Sequence, residues 1–319
     1  MSRTPAFRLA AAAAAALTLA AASLPAQAAP YSGLYVFGDS LSDTGRVFAL
    51  TGTPPAPYDQ GRYSNGMVAV EYLAQAHGLS MTNYAWGGAT TGQLNINAQL
   101  NAVLPTGVLG QVAEFGAAKA GVADPNALYF VMAGPNDFFS LLSNPATTQQ
   151  QMMAAANTAA GNLATAVGAL YGMGARNFLL PLMPDLGLTV SASKANAVMP
   201  GAAAGASQFT MLFNNGLAGA YGQLGGMLAG EQMFVVDTLA VHHALIGQFS
   251  KGASTSCLDD LAFPSCAGYA FFDDVHPTTA AHRAFAQAFI NAVPEPSSWM
   301  LGGLALLAAG AATRRRKQG

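Results

Sequence analysis

The sequence predicts an α/β fold, a three-layer α/β/α sandwich around a doubly wound, mainly parallel sheet of five strands. Three observations lead to it. Five short apolar runs end at glycine, proline, asparagine or aspartate, as buried strands do. Segments with helical spacing of apolar residues separate these runs, and strands that alternate with helices pair in parallel through right-handed crossovers. Charged residues are only 9% of the 319, against 52% hydrophobic, which suits a chain rich in buried and small residues. One domain, 30–292, holds all five strands, and no internal repeat is visible.

The first strand, 34–37, ends at Gly38 and runs into Asp39-Ser40-Leu41-Ser42-Asp43-Thr44-Gly45. Ser40 therefore sits just past a strand's carboxyl end, where open α/β sheets bind ligands and a following helix N-terminus can face an anion. The same polar residues equally suit turn and capping roles, so this stretch alone leaves both readings open. Residues 51–65 carry Pro54, Pro55 and Pro57 and predict an irregular loop near the site entrance. A helix over 67–77 stops at Gly78, and a second strand, 79–84, leads into Asn83-Tyr84-Ala85-Trp86-Gly87-Gly88-Ala89-Thr90. A loop and a helix near 108–120 precede the third strand, 127–133, which ends in Gly134-Pro135-Asn136-Asp137. Helices 152–171 and 206–228 flank the fourth strand, 177–182; the fifth, 233–236, ends at Asp237, and a closing helix spans 278–292.

Both ends read as targeting segments. Arg3 and Arg8 precede the apolar run 9–24, and Ala26-Gln27-Ala28 supplies a small-x-small cleavage pattern, so 1–28 is expected to be a signal peptide. At the other end Pro294-Glu295-Pro296 is followed by the uncharged run 299–312 and then Arg314-Arg315-Arg316-Lys317. Fourteen residues are short for a span, since about 20 are needed to cross the hydrocarbon core, though small polar flanks bring the segment close. The basic cluster is expected to stay cytoplasmic. Without the ends, 7 basic residues face 14 acidic ones, a net charge near −7. That excludes a nucleic-acid partner, whose recognition needs clustered Lys and Arg. Cys257 and Cys266, the only cysteines, are expected to form a disulfide in an exported protein. They are too few for a structural zinc site, and neither metal nor cofactor is expected.

Of five histidines, His276 stands out, because Asp273 lies three residues before it in Phe272-Asp273-Asp274-Val275-His276-Pro277-Thr278. A carboxylate on an imidazole Nδ1–H fixes its tautomer and stabilises the imidazolium formed when the base takes a proton. Alone, the pattern equally suits a helix cap before Pro277. His242 and His243 are expected to line a pocket or a helix surface, His282 to be structural, and His77 to answer a helix dipole. Together, a serine after strand one, a Gly-Gly after strand two, an Asn after strand three and a late Asp/His pair supply nucleophile, oriented base and oxyanion donors.

These blocks resemble the GDSL (SGNH) lipase and acylhydrolase family, with its flavodoxin-like sandwich, from Tyr35 to about Phe289. The resemblance is carried by Phe37-Gly38-Asp39-Ser40-Leu41-Ser42, by 83–90, by Gly134-Pro135-Asn136-Asp137, and by 272–278 continuing into Ala280-Ala281-His282. It implies a triad of Ser40, His276 and Asp273, with the oxyanion held by Ser40 N–H, Gly88 N–H and the Asn136 side-chain amide. Gly87 and Gly88 are not distinguished by sequence. Arg46 stands where relatives often carry Asn, a departure expected to bear on the entrance. Ser42 occupies the second glycine of a G-x-S-x-G elbow, which disfavours an α/β-hydrolase fold. The C-terminal part, 293–317, resembles a PEP-CTERM sorting signal. It implies handling by an exosortase after signal peptidase, transient inner-membrane anchoring, and delivery to the cell surface or extracellular matrix.

The expected function is a serine esterase or lipase acting on acyl esters, with lipid esters, acylated polysaccharide and small aryl esters all open as substrates. An acyltransferase with the same residues is the nearest alternative. A non-catalytic matrix protein is the other, although it has no need of Ser40, Asn136, Asp273 and His276 together.

Overall fold

A computed structural model describes residues 31–142, 144 and 146–294. The expected signal peptide 1–28 and the apolar run 299–312 lie outside the described residues. Among the described residues no helix is long and apolar enough to cross a membrane.

Strands β1 (Leu34–Gly38), β2 (Met81–Asn83), β3 (Leu128–Met132), β4 (Asn177–Pro181) and β5 (Gln232–Val236) form one sheet in the order β2-β1-β3-β4-β5, with every pair parallel. This is the five-stranded doubly wound sheet expected. The register of β1 on β3 runs from Leu34↔Leu128 to Gly38↔Met132, so both strands end at the same level. Alternation along β3 sorts its side chains between two cores. Tyr129 and Val131 face the cluster containing Phe115, Leu163 and Phe213, while Leu128, Phe130 and Met132 face the cluster containing Leu73, Phe285 and Phe289. All five β3 residues are buried, and the one hydroxyl among them, that of Tyr129, donates to the Asp124 carbonyl (2.9 Å).

Five helices match the sequence pattern closely: α2 (Ala69–His77), α4 (Val108–Ala118), α6 (Gln149–Met173), α8 (Ala202–Met227) and α10 (Thr279–Ala292). Five short helices lie where none was expected: α1 (Arg46–Thr51), α3 (Ala98–Asn101), α5 (Pro135–Leu142), α7 (Val190–Val198) and α9 (Thr238–Ile246). Helices α1, α3 and α5 have eight residues or fewer, too few turns for a periodic apolar stripe to repeat, while α7 and α9, nine residues each like α2, carry no one-sided apolar stripe. Helix α5 begins inside the Gly-Pro-Asn-Asp segment because proline suits a first helical position, where its missing N–H has no acceptor to lose. Strand β2 is shorter than 79–84, pairing with β1 over only three residues.

Candidate active site

Gly38 ends β1 so close to β3 that a Cβ would lie 2.6 Å from the Met132 carbonyl oxygen, leaving room only for glycine. The chain then turns sharply: the Asp39 carbonyl accepts the N–H groups of Ser42 (3.0 Å) and Asp43 (2.9 Å), with Ser40 inside the turn. Helix α1 starts only at Arg46, so no helix N-terminus follows directly on Ser40. Asp43, fully buried, ties the turn down. Its Oδ1 accepts from Gly45 N–H (2.8 Å) and Arg46 N–H (2.7 Å), and its Oδ2 from Gly87 N–H (2.8 Å).

Ser40 Oγ lies 2.8 Å from His276 Nε2, and His276 Nδ1 lies 2.7 Å from Asp273 Oδ2. The Asp273 side chain bends back on its own turn, its Oδ1 accepting from Val275 N–H (2.9 Å) and His276 N–H (2.7 Å). Three residues of spacing suffice because this turn brings carboxylate and ring together. Burial opposes ionisation of Asp273, but the His276 charge and hydrogen bonds outweigh it and hold the carboxyl at about 2. For His276, burial pulls the pKa down while Asp273 and then Asp39 push it up, with a net rise above the ordinary value.

Two tyrosines from the proline-rich loop complete the arrangement. The Tyr58 hydroxyl donates to Asp273 Oδ2 at 2.7 Å, and the Tyr63 ring packs on the His276 ring with centroids 5.0 Å apart. The loop is fastened to the histidine segment by Ser64 Oγ–H donating to the Pro277 carbonyl (2.9 Å) and Asn65 Oδ1 accepting Thr279 N–H (2.9 Å). Behind the histidine segment, Cys257 and Cys266 are bonded and buried, packed with Tyr269 and Phe272. Sequence reasoning missed both tyrosines, since Tyr58 is 215 positions from its carboxylate. The one available signal was two tyrosines in a loop already placed near the entrance.

Gly87 N–H is committed to Asp43, whereas Gly88 N–H and Ser40 N–H meet no acceptor among the described residues. Gly88 adopts φ +80°, and a Cβ there would fall 2.4 Å from Asn95 Oδ1, so glycine is required on two counts. Asn136 sits in the first turn of α5, its Nδ2 giving one hydrogen to the Ala89 carbonyl (2.9 Å) and keeping another. Asp137 anchors that turn through both oxygens, to Thr91 N–H (2.9 Å) and Thr91 Oγ (2.8 Å).

Ser40, Gly88, Asn136 and His276 all line one cavity of about 250 Å³. Asp39 lies in its wall, 1% exposed, with one carboxylate oxygen unpartnered; burial pushes its carboxyl up to about 7 against the Leu41 N–H bond. Buried His242 and His282 line the same cavity and are pushed down by burial to about 4 and about 3, so both are neutral. His243 instead meets Asp185 Oδ2 at 2.8 Å, and His77 is buried at the end of α2. Arg46 does not line the cavity. Its guanidinium bonds the Tyr84 carbonyl (2.8 Å), pairs with Glu114 (2.7 Å) and stacks over Trp86, so the departure at this position touches the scaffold rather than the entrance. No group of three or more His, Cys, Asp or Glu suited to a metal occurs among the described residues.

The sequence is similar to several known proteins. It is 30% identical to an uncharacterized protein in the trpE-trpG intergenic region of Pseudomonas putida, over 88% of this chain but 52% of that protein, so the chain spans about half of that relative's length. It is 27% identical to the phosphatidylcholine-sterol acyltransferase of Aeromonas hydrophila, over 85% of this chain and 92% of that protein. Among solved structures, an acetyl xylan esterase of Geobacillus stearothermophilus aligns with a TM-score of 0.45 at 17% identity, covering 82% of this chain and 94% of that one. A model of the PEP-CTERM protein-sorting motif matches residues 292–317. That of the GDSL-like lipase/acylhydrolase family matches residues 34–289, most of the chain, and the chain belongs to this family.

Proposed function

We propose that the chain is an exported serine ester hydrolase, with Ser40 as nucleophile, His276 as general base and then acid, and Asp273 as the orienting carboxylate. The observation that supports it is the unbroken relay from Ser40 Oγ to His276 Nε2 (2.8 Å) and from His276 Nδ1 to Asp273 Oδ2 (2.7 Å), on the wall of a cavity. His276 takes the hydroxyl proton as Ser40 Oγ attacks the ester carbonyl carbon. The negative oxygen of the tetrahedral intermediate rests on Ser40 N–H, Gly88 N–H and Asn136 Nδ2–H, donors held in place before the charge develops. Collapse breaks the C–O bond, and His276 returns its proton to the departing alcohol. Water, deprotonated by His276, then releases the acid and restores Ser40.

The organisation proposed with this reading is a signal peptide over 1–28, a hydrolase domain over 30–292 and a sorting tail over 293–317. The tail would be processed by an exosortase-type enzyme after transient anchoring, delivering the domain to the cell surface or matrix. The test is turnover of p-nitrophenyl esters by the full chain beside Ser40→Ala and His276→Ala, each expected to lose on the order of 10⁴-fold or more. A Ser40→Ala protein that keeps its turnover removes the serine mechanism. Likeness to the Aeromonas acyltransferase favours one second reading, acyl transfer to an alcohol. It predicts new ester product when an alcohol acceptor is added, in excess of free acid.

A further inference from the structure

The two tyrosines of the proline-rich loop differ in what their hydroxyls meet. That of Tyr58 donates to Asp273, whereas that of Tyr63, in the cavity wall, has no hydrogen-bond partner among the described residues and is not sealed from solvent. The loop nevertheless holds Tyr63 still. On one side Arg62 makes two bonds to Glu71 of α2, Nε to Oε2 and Nη2 to Oε1, both 2.8 Å. On the other, Ser64 and Asn65 are tied to the histidine segment. The Tyr63 ring packs on His276 and stands edge-on to Tyr58, with centroids 6.3 Å apart. Its hydroxyl end lies over Gly87, where a Cβ would come 2.5 Å from the phenol oxygen, so glycine there admits the phenol. Burial first, then the charges of Asp43 and Asp273, push this phenol up to about 12, and it stays a donor at neutral pH.

A departing alcohol oxygen must stand within hydrogen-bond reach of His276 Nε2, the nitrogen that returns its proton. A fixed donor packed on that same ring is placed to meet an oxygen one carbon further along the alcohol. Asn97, exposed in the wall of the same cavity, also keeps its amide N–H groups unbonded, its Oδ1 being taken by Gln99 N–H (3.0 Å). An alcohol rich in oxygen finds donors here that a bare alkyl group would leave unpaired. We propose that Tyr63 O–H is the donor of an alcohol-side subsite, and that the preferred substrates are esters of polyols, alcohols with a second oxygen on the carbon next to the esterified one. This rests on the proposed ester hydrolysis at Ser40 and deepens it by naming the alcohol. Glycerides and acylated sugars both present that group.

The test holds the acyl group constant and varies the alcohol: kcat/KM of the full chain and of Tyr63→Phe on propyl butyrate, glycerol 1-butyrate and a butyryl glucoside with a free hydroxyl beside the ester. Phenylalanine keeps the ring on His276 and removes one oxygen, and a ratio between two esters on one sample does not depend on how much of it is folded. One hydrogen bond between neutral groups corresponds to about fivefold, so Tyr63→Phe should lower the glycerol-to-propyl and glucoside-to-propyl ratios about fivefold. A fall for the glycerol ester alone assigns the subsite to glycerides, and a fall for the glucoside alone assigns it to acylated sugars. Both ratios unchanged, whether the rates drop together or not at all, overturns the proposal and leaves the serine hydrolase standing. Calorimetric titration of glycerol 1-butyrate and propyl butyrate into the Ser40→Ala chain, with and without Tyr63→Phe, is independent of turnover. Tighter binding of the glycerol ester that Tyr63→Phe removes, with no ester hydrolysed by the wild-type chain, keeps the subsite and removes the reaction. No difference in binding and no hydrolysis removes both.

Discussion

Replacing Tyr58 by Phe removes one hydroxyl and leaves the ring, which is held edge-on to Phe272 with centroids 5.0 Å apart. The hydroxyl is one of four donors to Asp273, beside two backbone N–H groups on Oδ1 and His276 Nδ1–H on Oδ2. A hydrogen bond to a charged group is worth about 1.5–3 kcal/mol, and about 1.4 kcal/mol corresponds to tenfold in rate. Three donors still hold the carboxylate, so the low end applies and kcat/KM should fall about tenfold. The direction of the pH shift follows from the same bond. Without Tyr58, Asp273 Oδ2 is a stronger acceptor for the imidazolium, the His276 pKa rises further, and the acid limb of kcat/KM moves up by as much as about one unit. Steady-state kinetics from pH 5 to 9, with thermal melting alongside, separate positioning from mere support, since lost packing lowers Tm without moving the limb. Wild-type kcat/KM with an unmoved limb in Tyr58→Phe would refute the reasoning.

Three further outcomes are expected. Asn136→Ala removes one oxyanion donor and should lower kcat by about 10²- to 10³-fold with little change in KM, and full activity would exclude Asn136 from that role. The base must be neutral to act, and the His276 pKa lies above its ordinary value of about 6.5, so kcat/KM should fall with an acid limb above pH 6.5. Asp39 contributes to that rise, so Asp39→Asn should lower the limb, and a limb that stays put would show that Asp39 does not couple to His276.

Much of the fold and of the candidate site is legible in the sequence. The central strands β1, β3 and β4 read as apolar runs because both faces of the sheet are covered there, and such runs stop visibly at glycine or proline. Ser40, Asn136, Asp273 and His276 could be picked out because each follows a strand or opens the last helix, and parallel strands carry those ends to one edge. The short helices were not legible, since a helix such as α5 has too few turns for a repeat and starts inside what reads as a turn.

The tertiary structure decided matters that depend on which backbone groups are already paired and on contacts far apart in sequence. Gly87 and Gly88 are equivalent as letters, and what separates them is the bond from Gly87 N–H to Asp43 and the positive φ of Gly88. Tyr58 and Tyr63 join the site through a loop that periodicity cannot describe, because its conformation is set by side chains holding it to the histidine segment. The cavity likewise depends on how β3 and α10 face each other, a property of volume and packing. Local chemistry is written along the chain, whereas pairing and empty space arise only when distant segments meet.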